Sequence, residues 1–188
     1  YNDMIRVIQR TDDSKIHVDG CHFINSSYNI IVGNSFSEIG HSPQRIWGKT
    51  PHKATFNVIR GNFFHNGWGR NFEFFNLERA LVEGNIITDA FNGSMSADAR
   101  AKMFLTDGII RHCLIYDNWD YPLATSSYID KPTTGDVALE LKDSRIYNNT
   151  FVSNPSSLWN FGTSAKNVPI RSNIFMNNLF VRNDFLGD

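Results

Sequence analysis

Between Ile39 and Phe72 the chain contains no Asp or Glu, yet it carries Arg45, Lys49, Lys53, Arg60 and Arg70, with His41, His52 and His65 among them. Trp47 and Trp68 share the stretch. An indole beside a cation can stack on a sugar face while the cation holds a carboxylate or sulfate, so the window reads as a binding element for an acidic glycan. The competing reading is a solvated basic edge with packed tryptophans. A second pattern is acidic, formed by Asp89 and Asp117 with Asp98 and Asp120 near them. Two carboxylates about 5 Å apart suit a retaining glycosidase, and such a pair also splits its pKa values or attracts a cation. Both ideas depend on elements that bring distant residues together.

Those elements repeat. Ile-Val-Gly-Asn-Ser-Phe (31–36), Ile-Arg-Gly-Asn-Phe-Phe (59–64) and Val-Glu-Gly-Asn-Ile-Ile (82–87) are close copies, and 110–115, 146–151 and 170–175 are looser ones. Their anchors are Asn34, Asn62, Asn85, Cys113, Asn149 and Asn173, at intervals that vary from row to row. Three positions before each anchor lies a β-branched residue (Ile31, Ile59, Val82, Ile110, Ile146, Ile170), and two after it lies Phe or Ile (Phe36, Phe64, Ile87, Ile115, Phe151, Phe175). Both columns look buried, yet their odd offset in the chain would put them on opposite faces of one straight strand. The chain must therefore bend at the Gly-Asn, where both residues tolerate left-handed backbone. An upstream strand completes the turn, with Phe75 and Leu77, Met103 and Leu105, and Leu139 and Leu141 in equivalent places.

Three short strands per turn, stacked in register, predict an all-β fold: a parallel β-solenoid of about six to seven turns, at one rung per about 4.8 Å. The six rows resemble the repeat of the right-handed parallel β-helix superfamily, the pectate-lyase-like folds, over roughly residues 16–183. The resemblance implies an asparagine ladder with aromatics stacked beside it, which accounts for 21 Asn and 15 Phe in 188 residues. The copy at Val18-Asp-Gly-Cys-His-Phe23 precedes Asn34 by too few residues for a whole turn, and is expected at another corner of the same turn. The whole of 1–188 is expected to be one β-helix domain, a processed chain or a piece of a longer solenoid, since the repeat starts almost at once and no Met stands first. Further turns or a capping partner would cover its ends.

Length variation falls on one side, in loops around 39–54, 66–71, 89–100, 117–136 and 154–160, which would wall a groove floored by Asn76, Lys102 and Glu140. Trp119 and Tyr121 are further candidates for sugar contact there. In the resembling family this face binds polysaccharide, and its lyases use Lys or Arg as the base that removes the proton α to a uronate. That implies Lys102, Arg100, Arg70 and His65 as base candidates, acting on a chain held by His41, Arg45, Trp47, Lys49, His52 and Trp68. Hydrolysis by Asp89 and Asp117 is the alternative chemistry, and a non-catalytic glycan-binding, adhesin or phage-tail module the alternative class. The plainer reading of the Asp pair is that Asp and Asn favour strand ends, as do Glu38, Asn66, Ser153 and Asn177 in the same column. Arg60, Glu83 and Arg111 align as a cross-strand charge ladder. No cofactor follows firmly; calcium at Asp89, Asp117 and Asp120 is the candidate.

Net charge −1 and 41% hydrophobic residues argue against bulk disorder and against nucleic acid as a partner. No run of about eighteen apolar residues predicts membrane insertion. Cys21 and Cys113 lack metal or disulfide spacing and are expected as buried thiols. Secretion or surface display is the expected location for a protein that acts on polysaccharide.

Overall fold

The structure is built from a unit of five residues. In Arg145-Ile-Tyr-Asn-Asn149, Arg145 points out, Ile146 is buried, Tyr147 is half-buried, Asn148 has φ 55° and Asn149 is buried; Thr150 to Asn154 repeats the pattern, with Ser153 at φ 50°. Alternation places every second strand residue inside, and the left-handed fourth residue turns the corner. This is a computed structural model, and it describes residues 3–5, 19–40, 42–48, 52–67, 72–89, 95–97, 103–118, 123–125, 140–154, 159–160 and 170–183.

Successive units form successive faces. One turn runs through Leu77–Glu78 (sheet 1), Leu81–Glu83 (sheet 2) and Ile86–Thr88 (sheet 3), then crosses to Met95–Ala97 (sheet 4). The sheets hold five, six, seven and six strands respectively, and neighbours pair in parallel one turn apart. The interior is filled by inward columns such as Ile31, Ile59, Val82, Ile110 and Ile146 on sheet 2, and Phe36, Phe64, Ile87, Ile115 and Phe151 on sheet 3. Phe36 stacks on Phe64 at 5.0 Å and Phe151 on Phe180 at 5.0 Å, as the ladder pattern implies.

Each ladder Asn serves the turn before it. Asn62 Oδ1 accepts the backbone N–H of Asn34 (3.0 Å) while its Nδ2 donates to the Ile31 carbonyl (3.0 Å). Asn85 does the same for Asn62 and Ile59, and Asn178 for Asn149 and Ile146. A sharp corner takes these two backbone groups out of the strand ladder, and a side-chain amide has one acceptor and one donor with which to satisfy them. The left-handed residue need not be Gly: Gly61 and Gly84 (φ 59° and 61°) would meet nothing with an added Cβ, whereas His112 takes the same place at φ 54°. Glycine there relieves backbone strain only.

Three findings revise the sequence reading and one agrees with it. Each turn has four sheets rather than three strands, because sheet 4 lies within segments that lack the Ile-x-x-Asn signature. The upstream strand is divided at Asn76 (φ 51°): Phe75 closes a sheet 4 strand and Leu77 opens a sheet 1 strand. The early copy lies in Asp19–Ile24, the first strand of sheet 4, on another face of the same turn as expected. The sixth row is displaced by one unit. Ile146 pairs with Phe175 and Phe151 with Phe180, so the anchor above Asn149 is Asn178, while Asn173 serves Ser144 on the preceding corner and Ile170 pairs with Leu141 on sheet 1. A five-residue unit makes every corner of a turn look alike, so a slip of one unit preserves the hydrophobic pattern. Leu139 lies outside the described residues.

Cys113 is buried in the ladder between Asn85 and Asn149, and burial pushes its thiol up to about 11. Cys21 is half-buried rather than buried, on the first strand of sheet 4. Among the described residues no helix is long and apolar enough to cross a membrane.

Replacing Asn85 with Leu leaves the Asn62 N–H and the Ile59 carbonyl without these partners. The expected loss is about 1–3 kcal/mol for each group, read from urea unfolding; an unchanged midpoint would mean that the corners do not need the amide.

Candidate functional site

The acid-free window finds its acids one turn further along. Arg45 pairs with Glu73 (2.8 Å), Lys53 with Glu78 (3.1 Å) and Arg60 with Glu83 (2.8 Å), which also holds Arg111 at 2.7 Å. The Arg60, Glu83 and Arg111 ladder is as expected, and Arg111 donates on to Tyr147. Desolvation pushes the Glu83 carboxyl up, but Arg111 and Arg60 outweigh it and hold the group below its ordinary range. Three of the five cations in the window are therefore committed to neighbours within the solenoid; Lys49 and Arg70 lie outside the described residues.

Sheet 4 carries the densest polar cluster. His22, Arg45 and Glu73 occupy one register position on three successive strands. Ile46 and Phe74, next to Arg45 and Glu73 in the chain, pack in the core, so this column faces outward by alternation. Even so, the Arg45 and Glu73 side chains are only 7% and 0% exposed. Ser42 Oγ donates to Glu73 Oε2 (3.2 Å), Arg45 lies over the Trp47 ring at 5.1 Å, and His22 stacks on Trp47 at 5.9 Å with planes 6° apart. The outer face of sheet 4 is thus covered at its first strands. Arg45 acts there as a structural cation, which revises its expected role as a substrate contact. Exposed His22 and half-buried Trp47 form the aromatic edge of the cluster.

Asp89 and Asp117 sit on consecutive turns, each directly after the paired residues Thr88 and Tyr116, and both are exposed. Both are also left-handed corner residues (φ 52° and 49°), in a column with Glu38, Asn66, Ser153 and, in place of the expected Asn177, Arg182. The corner conformation alone explains Asp in this column, and no further catalytic group is described beside the pair. Thr88 Oγ1 donates to Asp89. Asp120 lies outside the described residues, and among those described no three His, Cys, Asp or Glu side chains gather as metal ligands.

His65 ends a sheet 3 strand, stacks on Phe63 at 4.4 Å and lies 3.3 Å from the Asn66 amide. Asn76 is buried at the corner between sheets 4 and 1, where it donates to the Gly48 carbonyl, so it does not floor a groove. Glu140 belongs to a sheet 1 strand and pairs with Met103; its side chain is outside the description. His52 is exposed. His41, Trp68, Arg70, Trp119, Asp120 and Tyr121 fall outside the described residues, in chain segments that lead from sheet 3 to sheet 4. Lys49, Arg100 and Lys102 also fall outside them, in segments that lead from sheet 4 to sheet 1. Residues 66–71, 89–94, 117–122 and 153–158 give six residues each before sheet 4, whereas the segments after it range from Asn76 alone to residues 126–139. Residues 6–18, which lead from Asp3–Ile5 on sheet 3 to Asp19–Ile24 on sheet 4, and residues 38–41 depart from the six-residue length, so the links vary on both sides of sheet 4.

Sequence reasoning missed Glu73, Ser42 and the stacking of His22. A signal existed: Arg45 and Glu73 are separated by the same offset that separates Asn34 from Asn62.

The family model described as right-handed beta helix region matches residues 7–175. Neither the curated proteins nor the solved structures contain a match to the chain.

Removing Glu73 as Glu73→Ala strands Arg45 in a covered site. Breaking a buried pair costs about 3–5 kcal/mol, so a large fall in the unfolding midpoint is expected. A loss under about 1 kcal/mol, the ordinary worth of a surface pair, would show that the cluster is solvated.

Proposed function

The chain belongs to the family of right-handed β-helix regions, and from that premise we propose that it is a carbohydrate-active protein. In this reading it binds an acidic polysaccharide along sheet 4 and its flanking segments, and cleaves it by β-elimination. The β-helix fold is shared by polysaccharide lyases, hydrolases and binding modules, so the fold leaves the choice among them to the site.

One observation carries the reading. The cations of the window that the solenoid pairs internally are Arg45, Lys53 and Arg60, while the remaining candidates Lys49, Arg70, Arg100 and Lys102 all belong to segments that enter or leave sheet 4. The aromatic residues Trp47, Trp68, Trp119 and Tyr121 belong to the same sheet or its entering segments. Cations and rings in the segments that enter and leave one sheet of a solenoid suit a polymer bound along that sheet, with rings under the sugars and cations at the acid groups. In the elimination, a cationic side chain faces the uronate carboxylate and Lys102, Arg100 or Arg70 takes the α proton. The glycosidic C–O bond β to the carboxylate breaks as the C=C bond forms, and the leaving oxygen takes a proton from solvent. Calcium, if held by Asp89, Asp117 and Asp120, would supply the same neutralisation. Lys is the better base, since burial among cations lowers its pKa more readily than that of Arg. Hydrolysis by Asp89 and Asp117 is less favoured, because their corner conformation already accounts for them.

The test is incubation with acidic and neutral polysaccharides, with and without calcium, following unsaturated-uronate absorbance together with new reducing ends. Both signals should rise on an acidic substrate, and Lys102→Ala should reduce them without lowering the melting temperature. Reducing ends without absorbance would establish hydrolysis in place of elimination, and binding without either signal would establish a binding module.

A further inference from the structure

The first two strands of sheet 4, Asp19–Ile24 and Ser42–Trp47, pair in parallel with Cys21 directly beside Gln44. Register partners project to the same face of a sheet. Here that face is the inner one: Cys21 packs against the core, and Phe72, beside Gln44 on the following strand, lies within it. The later members of this register position are Phe72, Met95, Leu123 and Trp159, all apolar. Gln44 breaks the column with a primary amide that is 0% exposed. Among the described residues neither its Oε1 nor its Nε2 has a hydrogen-bond partner. A buried amide left unpaired is uncommon and costly, and one of its two register neighbours is a free, half-buried thiol.

We propose that Cys21 and Gln44 close an internal thioester that staples these two strands. The Cys21 sulfur attacks the Gln44 amide carbon. A C–S bond forms, the C–N bond breaks, and the thiol proton leaves with the nitrogen as ammonia; nothing is oxidised or reduced. Neighbouring strands lie about 4.8 Å apart, inside the range of about 4.4–6.8 Å between Cα atoms that a disulfide spans. The thioester has one more atom between the two Cβ atoms than a disulfide, so it has the reach. Holding the groups side by side replaces a bimolecular encounter. The product also relieves the buried amide, because a thioester carries no N–H donor and ammonia escapes to solvent. Burial raises the Cys21 thiol above its ordinary range, so the group stands neutral beside the amide and closure is slow, speeding up as pH rises towards the thiolate. The staple is independent of the polysaccharide reading, since it lies on the inner side of sheet 4.

The test is the intact mass of the purified full chain. The thioester predicts a mass lower by one ammonia than the composition requires. It also predicts one maleimide-reactive thiol, Cys113, after unfolding in mildly acidic denaturant, where the sequence holds two cysteines. Methylamine should open the link, adding one methylamine to the mass and releasing the second thiol. Trypsin leaves Cys21 and Gln44 within one peptide, residues 16–45, which should carry the whole deficit. Cys21→Ala should show its full mass. If that variant does not fold, the deficit in the wild-type peptide and its reversal by methylamine carry the test alone. A full mass with two reactive thiols overturns the proposal, and so does a deficit that persists in Cys21→Ala or maps outside residues 16–45.

Discussion

The structure depends on how a side-chain amide completes a backbone corner. A strand that turns sharply every five residues must place one residue in left-handed conformation, at about 1–2 kcal/mol for anything but Gly, and must strand an N–H and a carbonyl beside the turn. In isolation such a corner is unfavourable. Stacked on a copy of itself, it receives an Oδ1 and an Nδ2 from the Asn of the next turn, as Asn34 and Ile31 do from Asn62. Each turn is thereby stabilised by its neighbour, and short strands of two to four residues on sheets 1 to 3, too short to persist alone, become a continuous wall.

The same stacking decides the electrostatics. In a solenoid the nearest charged neighbour of a residue lies one turn away, so a window that is purely basic along the chain can be neutral in space. Arg45, Lys53 and Arg60 meet Glu73, Glu78 and Glu83, which begin just after the acid-free stretch ends. Most of what looks like a polyanion site from Arg45 to Arg60 is a set of rungs in a charge ladder.

Sheets 2 and 3 were legible because their units carry the full signal: a β-branched residue, Gly-Asn, then Phe or Ile. Sheet 4 was not. Its strands, Ser42–Trp47 and Phe72–Phe75 among them, have no left-handed residue at a fixed interval and place Arg45 and Glu73 where a surface strand would show ordinary charges. The register of the last turn was missed for the opposite reason, since Ile-Phe-Met-Asn-Asn and Leu-Phe-Val-Arg-Asn fit either of two adjacent corners and only pairing with Ile146 and Phe151 separates them. Of the candidate site, the column of Asp89 and Asp117 was located correctly on adjacent turns, and its plainer explanation as a corner column stands. The ion pair on the first strands of sheet 4 was missed because its two halves, Arg45 and Glu73, lie a full turn apart along the chain, and only their offset, equal to that of Asn34 and Asn62, marks them as neighbours.

In the column of Asn34, Asn62, Asn85, Asn149 and Asn178, one described position interrupts the amides and allows a gain to be measured rather than a loss. At Cys113 a sulfur stands where the other turns carry an amide, 4.0 Å from the Asn85 Nδ2 and 3.9 Å from the Val82 carbonyl, contacts far weaker than those of an Asn. Substituting Cys113→Asn offers an oxygen to the Asn85 N–H and a donor to Val82. Many substitutions lower stability for unrelated reasons, but few raise it at a buried position. If side-chain amides hold the corners, thermal unfolding of Cys113→Asn should shift upward by about 2–4 °C, the shift that about 1 kcal/mol gives in a domain of this size. An unchanged or lower midpoint, in a variant that still folds, would contradict the ladder as the interaction on which the structure rests.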